Sequence, residues 1–304
     1  MLLVILILLP SSMSIPFQSD SQPLIQQAKA QNIRDIETDI TQDPQADLEY
    51  YAKFLFDQKN RCKDSVDCLN EGTIALNSAA LGRSSVESDS IQKIAQQNKC
   101  RGDDTLCSNF KDPEFLKSLE ISITALGQSD IEADAYQLIT GDNKCNGSAN
   151  CKNGIGAMFT TFGSDGSLDG DVKQKVHAEN RCNDSAICTN FGSAGFNLVA
   201  TDQAELVADA RQKIYEVNSC GGIGTTCTND GSERFTVTAS GDSTLDSDGR
   251  QQIFANNDCN GGGTTCTGNT NNFMTISASD SSSIDSNDKQ EISLINECSG
   301  DGTT

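Results

Sequence analysis

Leu206-Val-Ala-Asp-Ala-Arg-Gln212-Lys-Ile214-Tyr-Glu-Val-Asn218-Ser-Cys220 decides the fold, because its spelling returns along the chain. An aliphatic residue stands fourteen positions before a cysteine at Val86, Ile131, Leu168, Leu206, Leu245 and Ile284. Six positions later every copy has glutamine: Gln92, Gln137, Gln174, Gln212, Gln251 and Gln290. Eight positions later stands Ile94, Ile139, Val176, Ile214, Ile253 or Ile292, and twelve later Asn98, Asn143, Asn180, Asn218, Asn257 or Asn296. A worn earlier copy runs from Leu48 through Phe56 and Asn60 to Cys62. The first cysteines of successive units lie 37 to 39 residues apart, except for 45 between Cys100 and Cys145. Such a period marks a repeat architecture in which each unit buries its apolar face only against its neighbours.

The repeated block predicts an amphipathic helix. Aliphatics at offsets 0 and 8, with a small or apolar residue often at 4, make one narrow stripe. Ser84 with Glu87 and Ser129 with Glu132 fit a capping box, and Ser243 with Asp246 and Ser282 with Asp285 are looser versions. The asparagine at offset 12 fits a left-handed C-cap. Upstream of each block lies a β-branched or alternating run, predicted as a strand: 73–78, 119–124, 158–162, 196–200, 235–239 and 274–278. The expected fold is therefore α/β: strand–helix units of about 38 residues stacked as a disulfide-stapled solenoid, its parallel strands joined by right-handed crossovers. A string of semi-independent small α/β units is the alternative. The extra residues at 112–116 are expected to form a surface loop.

Bulk composition narrows the class. Lys plus Arg number 22 against 43 Asp plus Glu, a net charge of -21, which repels nucleic acid and anionic lipid. Aromatics are 5% with no Trp, so many small shared cores suit the chain better than one deep core. The apolar run 2–9 is too short to span a bilayer and suits a secretory signal, with Ser12 and Ser14 at -3 and -1 of a cleavage site. The expected division is a signal peptide or retained anchor over 1–14, a leader over 15–46 and the repeat array over 47–304. No other stretch approaches 18 apolar residues, so no transmembrane helix is expected. The setting is extracellular or at the cell surface.

Thirteen cysteines in an exported chain point to disulfides. Pairing within each loop joins Cys62 to Cys68, Cys100 to Cys107, Cys145 to Cys151, Cys182 to Cys188, Cys220 to Cys227, and Cys259 to Cys266. Cys298 is left as a free or intermolecular thiol, where the sequence stops short of the second cysteine of its unit. Zinc fits less well: the loops exceed knuckle spacing, and His177 is the one histidine. Asp165, Asp169, Asp171, Asp246 and Asp248 are close-set carboxylates that offer weak Ca2+ candidates, although helix capping also accounts for them. The six glutamines, on the helix flank, either stack as an amide ladder between neighbouring helices or face solvent, with a ligand-binding row as the third reading. Asn146 and Asn183 stand in N-glycosylation sequons. No nucleophile elbow, phosphate loop or catalytic set emerges, and no cofactor is implied.

The spelling Gln-x-[Ile/Val]-x-x-x-Asn-x-Cys, followed after five or six residues by Cys-x-Asn, is carried by Gln212 through Cys220 and by Cys227-Thr-Asn229. It resembles repeats of exported proteins of uncertain function from ammonia-oxidising archaea, from about residue 46 onward. Cys266-Thr-Gly-Asn269 departs by one position. The resemblance implies an archaeal surface or extracellular setting and supplies no active site. The functional expectation is a non-enzymatic structural or adhesion protein that meets other surface proteins or itself. The alternatives are a module binding Ca2+ or small polar ligands, glycans among them, and a secreted enzyme with an unrecognised site.

Overall fold

The computed structural model describes residues 3–8, 29–42, 47–63, 67–102, 105–109 and 118–301. Among them there is no helix: the chain is a parallel β-solenoid, two flat parallel sheets wound by one continuous coil. The first sheet is ordered Leu3–Leu8, Asp47–Lys63, Ser85–Arg101, Asp130–Asn146, Ser167–Asn183, Glu205–Gly221 and Thr244–Asn260. Ser283–Ser286 and Lys289–Ser299 then share its last rung. The second sheet is ordered Lys29–Gln42, Asp67–Gly82, the interrupted rung Leu106–Asn109 with Leu119–Gly127, then Asn150–Ser164, Ile187–Thr201, Thr226–Ala239 and Thr265–Ala278. The extra residues at 112–116 lie outside the described residues, as does the cleavage site read at Ser14. Leu3–Leu8, within the segment read as an export signal, pairs in parallel with Asp47–Lys63.

The solenoid, the parallel strands and the six strands placed at 73–78, 119–124, 158–162, 196–200, 235–239 and 274–278 agree with the sequence reading. The α/β class does not: every block read as a helix is a strand. Offsets 0, 4 and 8 lie on one face of a helix, yet they are also all even. In Glu205–Gly221 the buried residues are Leu206, Ala208, Ala210, Gln212, Ile214, Glu216, Asn218 and Cys220, a strict period of two. Three polar side chains among the inward eight hid that alternation. The polar segment after each second cysteine is also strand, with Asn190 and Asn229 facing inward.

Register makes each residue lie on its counterpart one turn away, about 4.8 Å along the axis. Leu168, Leu206 and Leu245 stack in one column, and Val176, Ile214 and Ile253 in another. From the second sheet Phe159, Phe196 and Phe235 stack with ring centroids 5.4 and 5.1 Å apart. These columns form one continuous apolar core along the axis. Each unit alone would expose both of its flat apolar sides, so cohesion lies in the stacking.

The tight corner from second sheet to first needs a residue with positive φ. Gly82, Gly127, Asp165, Asp202, Gly241 and Asp280 supply it, with φ of 74°, 73°, 58°, 60°, 73° and 59°. Glycine bears that conformation at little cost, and aspartate is among the few residues that visit it. Three of the four serines read as helix caps close this corner instead, while the Ser129 hydroxyl has no partner. The hydroxyls of Ser84, Ser243 and Ser282 donate to the carbonyls of Leu81, Ser240 and Ser279, three residues back.

Ile214 is fully buried in the central column. Ile214→Ala is expected to lower the opening free energy of its turn and both neighbours by about 2–5 kcal/mol. Hydrogen exchange across 167–260 measures it. An unchanged exchange pattern would contradict the stacked-column core.

Candidate functional site

The second corner, from first sheet to second, carries the distinctive chemistry. Each strand of the first sheet from Asp47–Lys63 to Thr244–Asn260 ends in a cysteine and one further residue, and each following strand has cysteine as its second residue. The strands are joined by three or four residues. This brings together all six expected pairs, Cys62–Cys68, Cys100–Cys107, Cys145–Cys151, Cys182–Cys188, Cys220–Cys227 and Cys259–Cys266, at Cα separations of 5.9 to 6.6 Å. The bridges are buried and stack in register along one edge of the rod. Cys298 stacks on Cys259 and is exposed. Sulfurs of neighbouring turns lie within 4.8 Å of one another.

Inside the bridges lies a double column of buried asparagines. One comes from the first sheet, Asn98, Asn143, Asn180, Asn218 and Asn257, and one from the second, Asn70, Asn109, Asn153, Asn190 and Asn229. The Nδ2 of Asn180 donates to the backbone oxygen of Thr189 (3.1 Å), to Oδ1 of Asn190 (2.8 Å) and to Oδ1 of Asn218 one turn on (3.1 Å). Asn143 and Asn153 donate to its own Oδ1 in turn. Two amide hydrogens thus serve three acceptors, and the bonds are shared along the network. Gly268 stands at this place in Thr265–Ala278, which displaces Asn269 to the outer surface and ends the second column.

The six glutamines form a second ladder in the first sheet. Gln137 donates to Gln92, Gln174 to Gln137, Gln212 to Gln174, Gln251 to Gln212 and Gln290 to Gln251, at 2.8–3.0 Å. Reversing Gln212 alone would set its amide nitrogen against that of Gln251, so the column keeps one polarity. The amide-ladder expectation thus holds, between strands. Phe54 occupies the glutamine place in the worn first copy, which starts the ladder at Gln92.

Two acids inside the rod were not singled out in the sequence. Glu216 and Glu233 are both fully buried. Burial pushes Glu216 well above the ordinary carboxylate range, a hydrogen bond from Gly192 N at 2.6 Å partly offsets this, and Asp230 adds to the rise. Burial raises Glu233 to about 8; the Gln252 backbone N–H moderates it without a hydrogen bond of ordinary geometry. The strict alternation in Cys227-Thr-Asn-Asp-Gly-Ser-Glu233 is the signal that places Glu233 inward.

The Ca2+ candidates do not converge. Asp169, Asp171, Asp246 and Asp248 point outward from the first sheet in two exposed columns, and Asp165 lies in the tight corner, where its Oδ1 accepts from Gln203 N at 3.3 Å. Asp171, Asp209 and Asp248 stack in register, and the Asp171 N–H donates to Asp134 Oδ1 at 3.3 Å. Some burial, then repulsion from Asp171 and Asp248, raises the Asp209 pKa, with Arg211 opposing. Among the described residues, three metal-ligating atoms come within 4.8 Å of one another only at cysteine sulfurs. Helix capping does not explain these acids, since each stands in a strand or at a corner between strands. His177 lies on the outer face, its ring 6.2 Å from that of Tyr215 and Nε2 3.7 Å from Glu179. Asn183 is exposed and donates to Asn146 Oδ1 at 3.1 Å, beside an open hollow of about 460 Å³ that also includes Arg101 and Asp184.

The molecule is thus a disulfide-braced parallel β-solenoid with an amide-laddered interior. The chain matches no protein-family model, no curated protein and no solved structure.

Asn180→Ala is expected to cost about 2–4 kcal/mol, because it removes shared bonds and leaves buried partners short. Asn180→Asp is expected to cost more, since an ionised carboxylate only accepts. Chemical denaturation of both variants checks the order. Non-reducing peptide mapping is expected to recover the six bridges, and Cys182→Ser with Cys188→Ser to cost about 2 kcal/mol by the loop-entropy relation.

Proposed function

We propose that this chain is a non-enzymatic structural element of the cell surface or extracellular space, a stiff rod whose flat faces serve adhesion or assembly. The observation that carries the reading is the uninterrupted stacking of six disulfides beside continuous amide ladders. Bridges in such number belong to an oxidising compartment, and a laddered interior resists local opening. The resemblance of the repeat spelling to exported archaeal repeats suits the same setting. Against an enzyme stands the placing of His177 on an open flat face, apart from any enclosed hollow. Partners are other surface proteins, glycans or further copies, met by a surface with net charge -21 that disfavours nucleic acid.

A second reading, cation binding, rests on the stacked aspartates and on the repulsion that raises Asp209. Cations would screen such a column diffusely, because the carboxylates do not converge on one point.

Purified full-length chain under oxidising conditions is expected to remain resistant to protease and to form polymers or bind isolated cell envelopes as concentration rises. Monomer at every concentration, with no envelope binding, overturns the adhesion and assembly reading. A melting temperature raised by Ca2+, reversed by chelator and lost in Asp209→Asn favours the cation reading.

A further inference from the structure

Every inward column is built of residues that tolerate their own kind one turn away, except at two places. The column of Glu216 runs Ala178, Glu216, Ala255, and that of Glu233 runs Ala194, Glu233, Asn272. Each acid therefore stands between uncharged neighbours. Room for Glu216 comes from across the core. Gly192 and Gly231 follow Ile155 in the facing column, and a Cβ on them would meet Glu216 Oε1 at 3.0 Å and Oε2 at 3.3 Å. The side chain occupies the space that two absent side chains leave, and Gly192 N binds its Oε1.

Neither acid has a counter-charge. The inward positions of Ser167–Asn183, Ile187–Thr201, Glu205–Gly221, Thr226–Ala239, Thr244–Asn260 and Thr265–Ala278 hold no Lys, Arg or His. Facing Glu216 are Gly192, Ala178, Ala255 and Gly231, with Asp230, another acid, as the charge it feels. Around Glu233 stand Ala194, Asn272 and the Gln252 backbone, and its chain neighbour Arg234 is exposed on the outer face. Glu216 Oε2 and both oxygens of Glu233 have no hydrogen-bond partner. An ionised carboxylate so placed is strongly disfavoured, whereas the neutral acid is tolerated.

We propose that Glu216 and Glu233 make the turns spanning 205–239 a proton-dependent clasp, closed while both acids are neutral and loosened when they ionise. The direction follows from linkage. Below the unfolded carboxylate value of 4.5 both acids are protonated in either state, and the clasp is at full strength. Above it the unfolded turns release protons that the folded turns retain, so stability falls with rising pH through the Glu233 value of about 8. Glu216 is raised too and acts in the same direction. Turns 130–183 have Gly141 and Ala178 in the Glu216 column, and Ala157 and Ala194 precede Glu233 in the other.

Hydrogen exchange of the full chain, corrected for the intrinsic pH dependence of exchange, tests the clasp. Protection over 205–239 is expected to fall about fiftyfold between about pH 6 and about pH 8 through the Glu233 proton alone, and further as Glu216 adds its own. Protection over 130–183 is expected to hold, and Glu216→Gln with Glu233→Gln to flatten the response. Equal loss in both segments, or an unchanged slope in the double variant, overturns the proposal. A carbon-13 carboxyl titration of the native chain covers the case in which the variant fails to fold. A glutamate titrating near 8 supports the clasp, and all glutamates titrating below about 6 overturn it.

Discussion

Like must lie on like. A parallel β-solenoid places each side chain about 4.8 Å from its counterpart in the next turn, so an inward position must hold residues that accept their own company. Aliphatics and stacked phenyl rings do so by packing, as in the columns of Ile214 and Phe196. Among polar groups the primary amide is uniquely suited, because it donates and accepts and can pass a bond along the axis with constant polarity. Asn180 bonding Asn218, and Gln174 bonded by Gln212, are the same solution at two depths. A column of buried carboxylates would fail, so aspartates stack only outside, where water and salt screen Asp171, Asp209 and Asp248.

The two corners meet different demands. The tight corner needs one left-handed residue, glycine or aspartate, and at three of the six a serine hydroxyl also closes it. The opposite corner is more varied in composition, from Lys-Asp-Ser-Val-Asp to Gly-Gly-Ile-Gly-Thr-Thr. It too repeats a positive-φ residue, two places after the first cysteine at Gly102, Gly147, Asp184, Gly222 and Gly261, and the disulfide fixes its ends. By fixing them it also keeps the asparagine columns dry and facing each other. The bridges alone add only modest stability because their loops are short. Their larger effect is to hold the ladder in register.

Much of this was legible in the residues. Period, cysteine pairing, parallel strands, stacking and the glutamine ladder follow from spacings within the chain. The secondary structure of the block did not, for a definite reason. Sequence periodicity equates inward with apolar, and here Gln212, Glu216 and Asn218 face inward while Tyr215 and Val217 lie half-buried on the outer face. With hydrophobicity inverted at those places, the apolar residues left at offsets 0, 4 and 8 satisfy a helix as well as a strand. The decisive cue was that every recurring position, polar or apolar, falls at an even offset. The Ca2+ candidates stay apart for a related reason: Asp169 and Asp171, like Asp246 and Asp248, stand two residues apart on one face of a strand, where side chains stay parallel.

A rod of nearly identical turns has no reason to concentrate chemistry in one place. Its outer faces present each side chain as a row, so binding to a surface or polymer would sum many weak contacts and depend on the number of turns engaged. That favours the structural reading over one centred on a pocket, since an enclosed site needs a turn that differs from its neighbours. The interior does differ at Glu216, between Ala178 and Ala255 with glycine across the core, and at Glu233, between Ala194 and Asn272, where the like-on-like rule is suspended. An acid there has no neighbour of its own kind to repel it and no cation to hold its charge. Its stability therefore depends on its own proton, a dependence that neither ladder can share.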